Sequence, residues 1–165
     1  TFENTGTLTA SESVINSGTF TNSETFSAPT VTNSGTFTNL ETSGNTATLT
    51  ATTVTNSGTF TNEESFSATD VENILTFENT GTLTASDSVT NSGTFTNSET
   101  FSAPTVTNSG TFTNDGSFTA TSVNNTESFE NTGTLAASNS VTNSGTFETS
   151  ETFSAPIVNN SGTFT

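Results

Sequence analysis

The stretch VTNSGTFTN fills positions 31–39 and returns unchanged at 54–62, 89–97 and 106–114, with close variants beginning at Val14, Val141 and Val158. Repetition of this kind marks a structural unit that stacks on copies of itself, so its reading decides the fold. Working outward from it, the large apolar residues recur at steps of five or six along the whole chain, in a strict order of three. The first position is always Phe (Phe2, Phe20, Phe37, Phe60, Phe77, Phe95, Phe112, Phe129, Phe147, Phe164). The second is Leu or Phe (Leu8, Phe26, Leu49, Phe66, Leu83, Phe101, Phe118, Leu135, Phe153), and the third is always Val (Val14, Val31, Val54, Val71, Val89, Val106, Val123, Val141, Val158). One circuit takes 17 or 18 residues. The single step of twelve, from Phe37 to Leu49, predicts a loop inserted at a corner near 40–45, with Gly44 in it.

The residues beside each apolar position are Thr or Ser almost throughout, as Thr19 and Thr21 are beside Phe20. Alternation with period two turns the central side chain inward and its neighbours outward, and β-branched Thr suits an exposed strand. The expected fold is therefore all-β: a three-sided parallel β-solenoid of about nine coils, forming one domain over residues 1–165. Either hand is compatible with the pattern. Stacking places Phe on Phe and Val on Val about 4.8 Å apart, with Phe20, Phe37, Phe60, Phe77, Phe95 and Phe112 and Val31, Val54, Val71, Val89 and Val106 in the core. Asn stands two residues after nearly every first-position Phe and after every Val, and Ala two after every second position. Columns of corner Asn, bonded amide to amide, would fix two corners while Ala fills the third. Gly in NSGTF would supply a positive backbone angle or a close approach. In FSAPTV, at Phe26 and again at Phe101, Pro29 and its counterpart Pro104 shorten the circuit with a tight corner.

Composition bounds the function. Sixteen acidic residues with no Lys, Arg or His give a net charge of −16, which argues against nucleic acid or an anionic membrane as a partner. Only 27% of residues are apolar, low enough to resemble a disordered chain were it not for the periodicity. There is no Cys, no apolar run long enough to span a membrane, and no charged-then-apolar start resembling a signal peptide. The chain opens and closes inside a repeat, so a segment of something longer is expected.

The NSGTFTN and NTGTLTA units resemble repeats in β-solenoid regions of large secreted bacterial surface proteins, such as filamentous-haemagglutinin-like adhesins and autotransporter passengers. The resemblance spans the chain, and implies an extracellular structural or adhesive role with no catalytic residue to carry over.

Catalysis has little to draw on, since carboxylates are the only general acids or bases present. An enzyme is not expected, and no cofactor. Glu24, Glu64, Glu99 and Glu151 each sit two residues before a second-position Phe, but Ala47, Gly81, Gly116 and Gly133 hold that place in other coils, which reads as spaced surface charge and not a calcium column. The sequons at Asn124 and Asn159 are what chance supplies in a chain this rich in Asn, Ser and Thr. The sides do differ in charge. Glu3, Glu78, Glu130 and Glu148 interrupt the first side, and Asp70 and Glu72 the third. The second side carries none at its flanking positions: Thr7, Thr9, Thr25, Ser27, Thr48, Thr50, Ser65, Ser67, Thr82, Thr84, Thr100, Ser102, Ser117, Thr119, Thr134, Ala136, Thr152 and Ser154. That side is the candidate contact face. The expected function is a shaft or filament segment of a secreted surface protein whose partners are further coils of a longer parent or copies of itself, end to end or side by side. The alternative is an ice-binding solenoid that uses the uncharged Thr/Ser array.

Overall fold

The computed structural model describes residues 1–40 and 47–165, and is a parallel β-solenoid of about nine coils without a helix. Two parallel sheets run its length. One is built from four-residue strands centred on the first-position Phe, such as Thr94–Asn97 and Thr111–Asn114. The other is built from strands of nine or ten residues, such as Thr82–Asn91, Thr100–Asn108 and Ser117–Asn125, which carry the second and third positions together.

The expected three sides are present, but the corner between sides two and three is a bend within a single strand. Along Thr100–Asn108, Phe101, Ala103, Val106 and Asn108 are buried, and two consecutive residues, Pro104 and Thr105, face away from the core between Ala103 and Val106. One extra outward residue in the alternation is what a bulge provides. In the 18-residue circuits a second is added, as at Ser86, Asp87 and Ser88, and the register with the coils on either side shifts there. The two Asn positions are true corners, where the chain leaves one sheet for the other.

Register is kept through every coil. Phe77 pairs with Phe60 and Phe95, and Val89 with Val71 and Val106. The first-position rings form one stack with centroids 4.6–5.0 Å apart, nearly parallel in the middle, 2° between Phe77 and Phe95. Offset parallel stacking suits the ring quadrupole and adds about 0.5–1.5 kcal/mol per pair beyond burial. Except for Leu40, the loop expected near 40–45 lies outside the described residues. The coils on either side of it stay in phase, with Phe37 on Phe60 and Phe26 on Leu49.

The Asn residues do more than turn corners. Each ends its strand facing inward, and the interior ones are fully buried. Asn108 gives its amide N–H groups to the Gly110 carbonyl (2.9 Å), to Asn125 Oδ1 (2.7 Å) and to the Ser128 carbonyl (2.7 Å). Its own Oδ1 accepts from Asn91 at 2.7 Å and from the Gly110 N–H. Among the described residues no buried side-chain nitrogen or oxygen lacks a partner. A coil thus buries six side chains, two of them amides, so the core is part hydrocarbon and part hydrogen-bonded column.

Of the two roles expected for Gly, the structure selects close approach. None of the described glycines has a positive φ in the left-handed range. A Cβ on Gly110 would lie 2.2 Å from the Gly93 carbonyl oxygen of the coil below.

Candidate contact face

Side two begins where the chain leaves the first Asn corner and ends at the Ala bend. The alternation that buries Leu83 and Phe101 turns Thr82, Thr84, Thr100 and Ser102 outward. Strand pairing aligns these residues into two columns. Thr25, Thr48, Ser65, Thr82, Thr100, Ser117, Thr134 and Thr152 follow one another in the first, with Thr7 just outside the strand of the opening coil. Thr9, Ser27, Thr50, Ser67, Thr84, Ser102, Thr119, Ala136 and Ser154 follow in the second. Most of these side chains are exposed; Ser27, Thr48, Ser65, Ser102 and Ala136 are half-buried. Ala136 is the one break in the hydroxyl pattern.

These hydroxyls are left free by the fold. Among the described residues, the Ser and Thr hydroxyls that donate within the protein lie at the Asn corners or on side three. Ser109 and Ser92 bond to Asn carbonyls one coil below, and Ser88 to the Asp70 carboxylate. No side-two hydroxyl is committed in this way, so the array can bond outward along its whole length.

The face has charged and shaped borders. At the first corner lie Glu64, Glu99, Asp115 and Glu151, and on side one Glu130 stands in register with Glu148, one rung apart. Among the described residues, no three acidic groups gather where they could hold a metal ion. On the other border the outer surface dips at the bend into an open groove of about 650 Å³. It is confined to the coils between Ala85 and Pro156, and Ser102, Pro104, Thr119, Thr121 and Ala136 are among the residues that line it. Side two is therefore a neutral strip two columns wide, beside an acidic edge and, from Ala85 to Pro156, a shallow trough. Asn124 and Asn159, the two sequon residues, are exposed on side three with Thr142 between them. Compared with protein-family models, curated proteins and solved structures, the chain matches none of them.

Proposed function

We propose that this chain is a non-catalytic shaft segment of a secreted surface protein, its work being to hold a fixed length and orientation. The observation that carries the reading is the use of the interior. In the interior coils the inward places are taken by Phe, Asn, Leu or Phe, Ala, Val and Asn, stacked in columns that continue from coil to coil, with Thr149 standing in for one Asn near the C-terminal end. Such an interior leaves no room for a ligand and resists bending, because a kink would open a ring stack, two amide columns and both sheets together. The resemblance of the NSGTFTN repeats to those of bacterial surface solenoids accords with an extracellular scaffold that relies on stacking for strength.

Ice binding is the second reading, favoured by one observation: the uncommitted side-two hydroxyls, in register from coil to coil except at Ala136. Against it stand the borders of the strip, since carboxylates at the first corner and a trough at the bend flank the two columns. Replacing Thr82 and Thr84 with Lys separates the readings. Both side chains point away from Leu83, so the fold is expected to survive with stability changed by no more than about 0.5 kcal/mol. A shaft gives no thermal hysteresis before or after the change. Clear hysteresis in the unmodified protein, abolished by the two lysines, would replace the shaft with the ice binder.

A further inference from the structure

One coil in the middle of the solenoid departs from the repeat. At the second corner the coil below has Ser57 and Gly58 and the coil above Ser92 and Gly93, but the place between them holds Ile74 and Leu75, 45% and 54% exposed. Outside the first and last coils, these are the exposed large apolar side chains among the described residues. The backbone does not require them. The Ile74 N–H donates to the Asn56 carbonyl and the Leu75 carbonyl accepts from Thr94, both at 2.7 Å, which are the bonds that Ser57 and Gly58 make one coil earlier. Neither side chain belongs to the core. Between small neighbours they form a knob that adds little to the fold by burial and leaves apolar surface in water.

Charge gathers around the same corner. The circuit from Phe60 to Thr76 carries four of the sixteen acidic residues, Glu63, Glu64, Asp70 and Glu72, whereas every other circuit carries one or two. On side three, Asp70 and Glu72 stand over Thr53 and Thr55 of the coil below, and on side one Glu78 stands between Thr61 and Thr96. Asp70 accepts the Ser88 hydroxyl at 2.6 Å. Glu72, two residues before Ile74, and Glu78, three after Leu75, are exposed on the two sides that meet at the knob. The chain has no Lys or Arg to neutralise them.

Resting on the shaft reading, we infer that this coil docks a cationic amphipathic segment of another protein, whose apolar stripe covers Ile74 and Leu75 while its Lys or Arg residues pair with Glu72 and Glu78. An apolar centre with a charged border is the arrangement of a contact that has buried anchors and a polar rim. Because the border is wholly acidic, it attracts a basic partner and disfavours a second copy of this chain, which brings the same sign. The departures also coincide in one coil. They give a partner a defined height on a shaft whose other coils are nearly alike.

The test uses the full chain and a labelled peptide of Leu and Lys patterned as an amphipathic helix, its binding followed by fluorescence anisotropy at about 150 mM salt to screen general attraction. One peptide per chain is expected to bind. Ile74→Ser with Leu75→Gly writes the ordinary NSGTF corner and leaves the net charge unchanged, so this variant should fold as the parent does and bind roughly tenfold more weakly. Glu72→Thr with Glu78→Thr should weaken binding to a similar degree. Glu130→Thr with Glu148→Thr removes the same charge elsewhere, and should change it by less than about twofold. No binding by the parent, equal binding by the Ile74 and Leu75 variant, or equal loss in the two Glu variants would overturn the proposal. So would sedimentation of the chain alone that shows self-association lost with Ile74 and Leu75, since the knob would then belong to a second copy. Failure on any of these counts leaves the shaft reading intact, whereas thermal hysteresis in the unmodified protein would sink the shaft.

Discussion

Asn108 shows how one residue type can supply both polarity and order to a core. Its three outgoing hydrogen bonds tie its own corner, the next amide and the next strand, so the residue is a fastener between coils and not only a turn former. Replacing it with Asp keeps the shape and removes every donor. A carboxylate there faces three oxygens at the distances the amide used, and at neutral pH the loss is expected to be at least about 3 kcal/mol. Burial beside acceptors raises the folded-state pKa of the new Asp above its unfolded value of about 3.9. The folded state then holds the proton more tightly, so the variant is least impaired below about pH 4 and loses stability as pH rises above it. Thermal unfolding of variant and parent followed by circular dichroism checks this. The gap in Tm should narrow on acidification, and a gap independent of pH would count against the account.

Among the elements, what the sequence reveals and what it hides have separable causes. The three apolar columns were legible because each apolar residue recurs at one place per circuit and nothing else occupies it. The continuity of sides two and three was less so, although its signal is present: only one residue beyond strict alternation separates Ala103 from Val106, and two separate Ala85 from Val89, too few for a corner like Asn-Ser-Gly. Asn burial was hidden because polarity suggests a surface place, and only the pairing of identical amides across coils makes an inward position favourable. The free hydroxyls of side two could be placed by alternation, but its trough and acidic border depend on how the strand bends. At the second corner the close approach of coils makes its own prediction. Gly110→Ala should cost about 1–3 kcal/mol, because the new methyl meets the Gly93 backbone and the corner has to shift. Leu75 and Glu127 hold the corresponding place in other coils, so the corner has a second path that accepts a side chain, and the variant should fold. Denaturant titration that shows no change would remove close approach as the reason for Gly.

As a whole molecule the protein repels itself. The chain carries sixteen carboxylates and no cationic side chain, the described solenoid is roughly 43 Å long, and Glu130 and Glu148 stand on adjacent rungs. Salt can then act mainly by screening repulsion, so the expected sign is the reverse of that for a fold held by ion pairs: Tm should rise from about 10 mM to about 150 mM salt, as the screening length falls from about 30 Å to about 8 Å. A Tm that falls would show that repulsion is not the dominant charge effect. The same one-coil repeat also governs how the molecule yields to a pull. Tension applied between the two termini loads the last rung first and peels it from its neighbour, since among the described residues strand pairing joins only adjacent coils. Each coil that comes away converts one strand spacing of rod into roughly 55 Å of extended chain. Because the coils are nearly alike, successive ruptures should occur at similar force, and single-molecule stretching should trace a sawtooth of even teeth. A stiff post at rest thereby becomes an extensible tether under load, absorbing work one turn at a time and winding back when the strain is released.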